Sequence, residues 1–177
     1  MDSIYEKSLS TAVGSITIQC SDRGIRAITL GGAVKSGRSR NGRGSTAEAA
    51  STANGQKAAG ARWAHQAARE LEEYFAGRRS EFSVPLDLDG TPFQKKVWKA
   101  LRTIPYGETR SYGQIARQVG NPRGARAVGM ANHENPVAIV VPCHRVIASD
   151  GGLGGYGGGL KKKSFLLWHE QQGRAAK

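Results

Sequence analysis

Cysteine is nearly absent from this chain: Cys20 and Cys143 are the only two in 177 residues, and they lie far apart. That excludes a disulfide framework and points to a reducing, cytoplasmic setting. Cys20, His65 and His133 show no metal-ligand spacing, so neither a metal nor a cofactor is expected. Long apolar runs are missing too. None approaches the ~20 residues that span a bilayer, so no membrane partner is expected. The opening stretch MDSIYEKSLSTAVGS carries Asp2 and Glu6 and no apolar core, unlike a secretory signal. Acidic residues are few, 14 against 26 Lys and Arg, for a net charge of +12. The excess is uneven. Residues 87–177 hold 14 basic against 6 acidic residues, and residues 31–62 hold six against Glu48 alone. Such asymmetry suggests a polyanion as partner of the second half, nucleic acid first, with a merely solvated basic surface as the alternative.

What is present divides the chain into two lobes of an α/β (α+β) protein, 1–88 and 89–177. Short β-rich runs, Ile4–Ser10, Ser15–Cys20 and Arg23–Leu30, separated by turn residues, read as a β-meander. Residues 31–62 are rich in Gly, Ser, Ala and Arg with no apolar period, and read as a flexible basic insertion. A helix is expected from about Arg62 to Ala76, with Trp63, Ala67, Leu71, Tyr74 and Phe75 on one stripe. A strand is expected over Phe82–Leu88.

The second half reads as mainly helical. Thr91-Pro92 is an N-cap with proline at the first helical position, ahead of Phe93, Val97, Trp98 and Leu101. Ser111 caps a short helix that Gly120 stops, and Asn121-Pro122 opens another that runs to about Asn132. Two short helices across a tight turn form a helix-turn-helix pattern. The second presents Arg123 and Arg126 among Gly124, Ala125, Ala127 and Gly129. Those small residues offer no hydrogen bonds to base edges, so the helix suits close approach to a groove with an arginine as its tool. An ordinary helical hairpin is the alternative.

The stretch IVVPCHRVI places Cys143 beside His144. Val137–Val141 reads as a buried strand that Pro142 must end, leaving Cys143 at a strand terminus. Neighbouring side chains of an extended segment point to opposite faces. His144 therefore reaches the thiol only if the backbone turns or a water relays the proton. A histidine steadied by a carboxylate raises the thiolate fraction. Glu134, Asp150 and Glu170 are candidates that spacing does not separate, although Glu170 lies on an expected final helix, Leu160–Gln172. Inert packing of a buried cysteine is the plain alternative.

NPVAIVVPCHRVI, GGYGGGLKKKSFLLWHE and the preceding FQKKVWKALRTIPYGETRSYGQIARQVGNPRGARAVGMAN closely resemble the O6-alkylguanine-DNA alkyltransferases, over roughly 91–171. The resemblance implies that Cys143 takes an alkyl group from guanine O6 once and irreversibly, with duplex DNA as partner. It implies His144 as water-mediated base, Glu170 as its orienting carboxylate and Asn135 as a brace between recognition helix and cysteine segment. Tyr112 would hold the base and protonate the leaving guanine, and Arg126 would fill the gap left by a flipped nucleotide. The carbonyls of Cys143 and Val146 would accept from the guanine amino group, and Tyr156 belongs to the loop closing the pocket. Gly157 stands where some relatives carry serine. Cys20 lacks the partners with which some relatives hold zinc, so no metal is expected. A monomer is expected, with cooperativity on DNA open. The other reading, a non-catalytic alkyltransferase-like lesion binder, is disfavoured because such proteins lack the cysteine.

Overall fold

The computed structural model describes residues 4–31 and 47–175. Strands β1 (Tyr5–Thr11), β2 (Gly14–Cys20) and β3 (Ile25–Leu30) form the expected antiparallel meander, in that order. Alternation along β2 buries Ile16, Ile18 and Cys20 on one face. Helix α1 (Ala47–Phe75) covers that face with Ala64, Ala67, Ala68, Leu71 and Tyr74. The approach is close at Gly60: a Cβ there would stand 3.3 Å from the Cys20 and Ser21 carbonyl oxygens. Burial pushes the Cys20 thiol up to about 12, so this cysteine is packing and not a reactive group.

Helix α1 corrects two expectations. It begins at Ala47 and not near Arg62, so residues 47–62 of the supposed flexible insertion are helical; residues 32–46 lie outside the described residues. The segment AEAASTANGQKAAGAR has no proline and is dense in alanine. Once Trp63 to Phe75 is anchored on the sheet, propagating the helix backward requires no new nucleus. Phe82–Leu88 forms no strand, only one bridge, Ile25 with Leu86. Its donors are spent elsewhere: the Glu70 carboxylate accepts the N–H groups of Ser83 (2.9 Å) and Val84 (3.3 Å), and Pro85 has none to give.

Helix α2 (Pro92–Leu101) begins with a full capping box, Thr91 and Gln94 each bonding the other's backbone N–H, as the sequence leads one to expect. Two-residue strand β4 (Arg110–Ser111) precedes α3 (Tyr112–Gln118), capped in the same way by Ser111 and Gln114. Helix α4 (Ala125–His133) starts three residues later than expected, and Asn121 does not cap it. The Gly124 N–H instead bonds the Asn121 carbonyl at 2.8 Å, closing a turn that leaves Pro122 and Arg123 ahead of the helix. Helices α3 and α4 pack on each other and on α2. The chain returns through one 3-10 turn (Cys143–Arg145), β5 (Val146–Ile147, parallel to β4) and α5 (Leu160–Ala175).

Val137–Val141 is buried as expected, except for partly buried Ala138, but is not a strand. The Val141 N–H bonds the Val137 carbonyl at 3.0 Å, and the segment loops through Ile139 at φ +71°. A β-branched residue in left-handed backbone is strained and must be held from outside. Asn135 does this from both sides: its Nδ2 donates to the Val141 carbonyl (2.9 Å) and its Oδ1 accepts from the Val137 N–H (3.0 Å). Ile28 of β3 adds two more bonds, from its N–H to the Pro136 carbonyl (2.8 Å) and from the Ala138 N–H to its carbonyl (3.4 Å).

Candidate active site

Cys143 and His144 open the 3-10 turn, so the backbone bends where an extended chain would have separated them; both are buried. His144 Nε2 lies 2.7 Å from Glu170 Oε1. Glu170 is thus the carboxylate among the three candidates, while Glu134 and Asp150 are exposed. An ionised carboxylate only accepts, so Nε2 carries the proton and Nδ1 is left as the basic nitrogen. That Nδ1 is buried and has no hydrogen bond among the described residues.

Glu170 is densely bonded. Its Oε1 accepts from His144, from Tyr74 Oη (2.8 Å) and from Arg145 Nη2 (3.0 Å); its Oε2 accepts from Arg145 Nε (2.8 Å) and the Gly107 N–H (3.0 Å). Burial alone would raise this carboxyl, but His144 and Arg145 outweigh it and hold the group well below the usual carboxylate range. The balance at His144 tips the other way. Burial, helped by Arg145 and Lys163, lowers it despite Glu170, so the imidazole rests neutral and ready to accept a proton. Burial also raises the Cys143 thiol, against the Asn135 side chain and the Lys163 ammonium, which both favour the thiolate. At rest the sulfur is protonated, and a base must act on it.

A cavity of about 820 Å³, whose lining does not include Cys143, His144 or Glu170, is formed by Tyr112, Ala125, Arg126, Gly129, Tyr156 and Gly157, among others. It brings together residues from α3, α4 and the loop before α5. Arg126 is exposed at its edge, whereas Arg123 sits on the preceding turn and does not line it. A second cavity of about 420 Å³ carries Cys143 itself and shares Asn132, His133, Tyr156 and Gly157 with the first. Tyr112 is half-buried, and a Cβ at Gly154 (φ +65°) would meet its hydroxyl at 3.0 Å. The Tyr156 hydroxyl is buried without a hydrogen bond of ordinary geometry among the described residues, and the Cys143 sulfur is its nearby polar group. The carbonyls of Cys143 and Val146 are both engaged already, by Asn132 Nδ2 (3.2 Å) and Lys163 Nζ (2.6 Å) respectively.

Residues 4–88 match the family model described as 6-O-methylguanine DNA methyltransferase, ribonuclease-like domain, and 92–172 that described as its DNA binding domain. The chain belongs to the O6-alkylguanine-DNA alkyltransferase family. It is 64% identical over 102 residues to the methylated-DNA–protein-cysteine methyltransferase of Mycobacterium leprae, covering 58% of this chain and 62% of that protein. The like-named protein of Methanosarcina acetivorans is 60% identical over 102 residues, 58% of this chain and 65% of that one. The chain thus spans less than two thirds of these curated relatives. Solved structures match over more of the length. The Mycobacterium tuberculosis O6-methylguanine methyltransferase is 40% identical at a TM-score of 0.75, covering 96% of this chain and 94% of that one. The M. tuberculosis OGT in complex with DNA is 42% identical at 0.75, covering 95% and 93%.

Four side chains of this alkyltransferase-family site were not singled out by sequence reasoning. Lys163 is fully buried and donates to the carbonyls of Val146, Leu153 and Gly155 (3.3 Å), tying β5 to the loop that carries Tyr156. Burial brings its ammonium down to about 8. Asn132 braces the Cys143 carbonyl, Arg145 pairs with Glu170, and Tyr74 reaches Glu170 from the first half of the chain. For Lys163 a signal existed. Positions 163, 166 and 170 fall on one helical stripe, and Leu166 marks that stripe as core.

Proposed function

We propose that this chain is a DNA-repair alkyltransferase that moves the alkyl group of O6-alkylguanine in duplex DNA to Cys143 in one irreversible step. The observation that carries the reading is a buried Cys143 on the same turn as a His144 that Glu170 orients, in the wall of a cavity of about 420 Å³. His144 Nδ1 takes the thiol proton through a water. The thiolate attacks the alkyl carbon, the S–C bond forms as the C–O6 bond breaks, and the electron pair leaves on the guanine. Tyr112 protonates that leaving base and becomes a phenolate, and the imidazolium proton passes through water to that phenolate, so both groups end neutral. The product is guanine and an S-alkyl cysteine. A thioether is a poor leaving group, so each molecule reacts once and needs no cofactor.

The target atom lies within the base stack, so the nucleotide must be flipped, at a cost of a few kcal/mol. Helices α3 and α4 act as a helix-turn-helix in residues 89–177, the DNA-binding alkyltransferase domain, which residues 1–88 support. Arg126 fills the vacated space, Arg123 contacts phosphate, and Ala125 and Gly129 let the backbone of α4 approach the groove. Asn135 braces the cysteine loop, Tyr156 closes the pocket, and the Val146 carbonyl reads the guanine amino group. The protein acts as a monomer in the cytoplasm.

The test is incubation with O6-methylguanine DNA followed by intact-mass measurement. The expected result is one methyl gained per molecule, with no second turnover and no gain in Cys143→Ser. Native protein that binds the lesion without changing mass would be a lesion binder and would sink the proposal.

Gly157 gives a second prediction. A Cβ there would meet only the His133 carbonyl oxygen, at 3.8 Å, so Gly157→Ser fits without strain and narrows the space near Cys143. Reaction with O6-benzylguanine is expected to slow by about tenfold relative to O6-methylguanine, equivalent to roughly 1.4 kcal/mol. An unchanged ratio of the two rates would show that this wall does not select the alkyl group.

A further inference from the structure

Glu170 draws all but one of its hydrogen-bond donors among the described residues from the second half of the chain; the exception is Tyr74, on α1. We infer that Tyr74 is a positioning residue for alkyl transfer: its hydroxyl shares the Glu170 oxygen that faces His144, and so limits the negative charge the imidazole meets. The inference rests on the alkyl-transfer reading.

The geometry makes Tyr74 more than filler. The side chain is fully buried, and Oη donates at 2.8 Å to Oε1, the same oxygen that His144 Nε2 approaches at 2.7 Å. Its ring is fixed edge-on to Tyr106 (centroids 6.0 Å, 83°) and Phe75 (5.2 Å, 82°). Its carbonyl accepts from His169 Nε2 at 2.8 Å, one residue before Glu170. Helix α1 thus grips α5 on both sides of the bond. Burial and the neighbouring Glu170 keep the phenol protonated and therefore a donor.

A donor on Oε1 disperses carboxylate charge. Removing it concentrates that charge on His144 and favours the imidazolium. An imidazole already protonated at rest cannot take the thiol proton. The other groups that bear on this ring stay in place when Tyr74 loses its oxygen. They are Arg145 on the same turn and Lys163 and Glu170 on α5, with Tyr106 after α2 and Tyr156 on the loop before α5 acting on Glu170 and Cys143 adjoining in sequence.

The experiment compares wild type and Tyr74→Phe in single-turnover methyl transfer from O6-methylguanine DNA across pH. On the acidic limb the variant is expected to be about tenfold slower at equal pH, an upward displacement of about one unit. On the alkaline side the two rates converge. A merely structural role predicts instead a uniform loss at every pH with a lowered melting temperature, and that result overturns the inference, as do superimposable profiles. The His144 ring titration, followed by NMR in both proteins before reaction, should move upward in Tyr74→Phe; an unmoved titration also overturns it. Wild-type protein that takes up no methyl overturns the function itself, an outcome distinct from active wild type with an unaltered variant.

Discussion

Glu170→Gln is expected to destabilise the fold by about 3–5 kcal/mol, the cost of leaving a buried charge without its partner. The charge is that of Arg145, whose side chain is 7% exposed against 0% for Glu170. Glutamine keeps the shape but gives the guanidinium only a neutral carbonyl, and it places an amide donor among the existing donors of Tyr74, His144 and Gly107. Urea unfolding should show a lower midpoint with an unchanged slope. A loss under about 1 kcal/mol, the range of exposed pairs, would mean that the pair is not buried in solution. Replacing both partners, Arg145→Met with Glu170→Leu, should recover only the part of the loss that comes from the unpaired guanidinium, because leucine leaves the donors of Tyr74, His144 and Gly107 without an acceptor at about 1–3 kcal/mol each. Alkyl transfer should stay lost by 10²-fold or more, as expected for a base without its orienting carboxylate (roughly 10²–10⁴ for such catalysis). That split separates folding from chemistry.

The same group gives stability a pH dependence of definite sign. The folded Glu170 carboxyl lies below its unfolded value, so its contribution is complete above about pH 4.3 and drains away as the pH falls toward the folded value. His144 acts in the same direction. Its folded pKa is lowered, so below about pH 6.5 the unfolded chain binds a proton that the folded chain refuses. Acid therefore destabilises the native protein through both members of the pair, and Glu170→Gln should flatten the lower part of that profile.

These two residues also show how far the sequence carries. Period-two alternation in β2 and the capping residues Thr91 and Ser111 encode local structure, and local structure formed where they predicted it. The expectation failed where a side chain from elsewhere took over the backbone. Glu70 binds the N–H groups of Ser83 and Val84, and Asn135 holds Val137–Val141 around a left-handed Ile139. Nothing in an apolar run announces such a partner. Cys143, His144 and Glu170 were legible through a motif and a helical pattern. Tyr74 registered only as one member of an apolar stripe, because its hydroxyl acquires meaning from a carboxylate 96 residues away.

Arg126→Ala should divide the protein's two kinds of substrate. In duplex DNA the nucleotide must leave the stack, and an arginine occupying its place recovers part of a cost of a few kcal/mol. Losing it should slow repair of O6-methylguanine in duplex by about 10²-fold, equivalent to roughly 2.7 kcal/mol. Free O6-benzylguanine needs no flipping, and its rate should change by less than about twofold. The structure bears on this contrast. Arg126 is exposed at the rim of the large cavity on α4, and among the described residues no hydrogen bond or ion pair joins it to Cys143, His144 or Glu170. Lysine at this position keeps the charge but not the planar guanidinium that stacks on bases. Arg126→Lys should therefore recover the phosphate-driven part of binding, read as the salt dependence of affinity, without recovering the duplex rate. Equal losses on duplex and free base would place Arg126 in the base pocket itself. Full recovery by lysine would reduce it to a phosphate contact. Either result would require another residue of α4 to fill the gap in the stack, and Met130, exposed one turn further along the same face, is the next to replace.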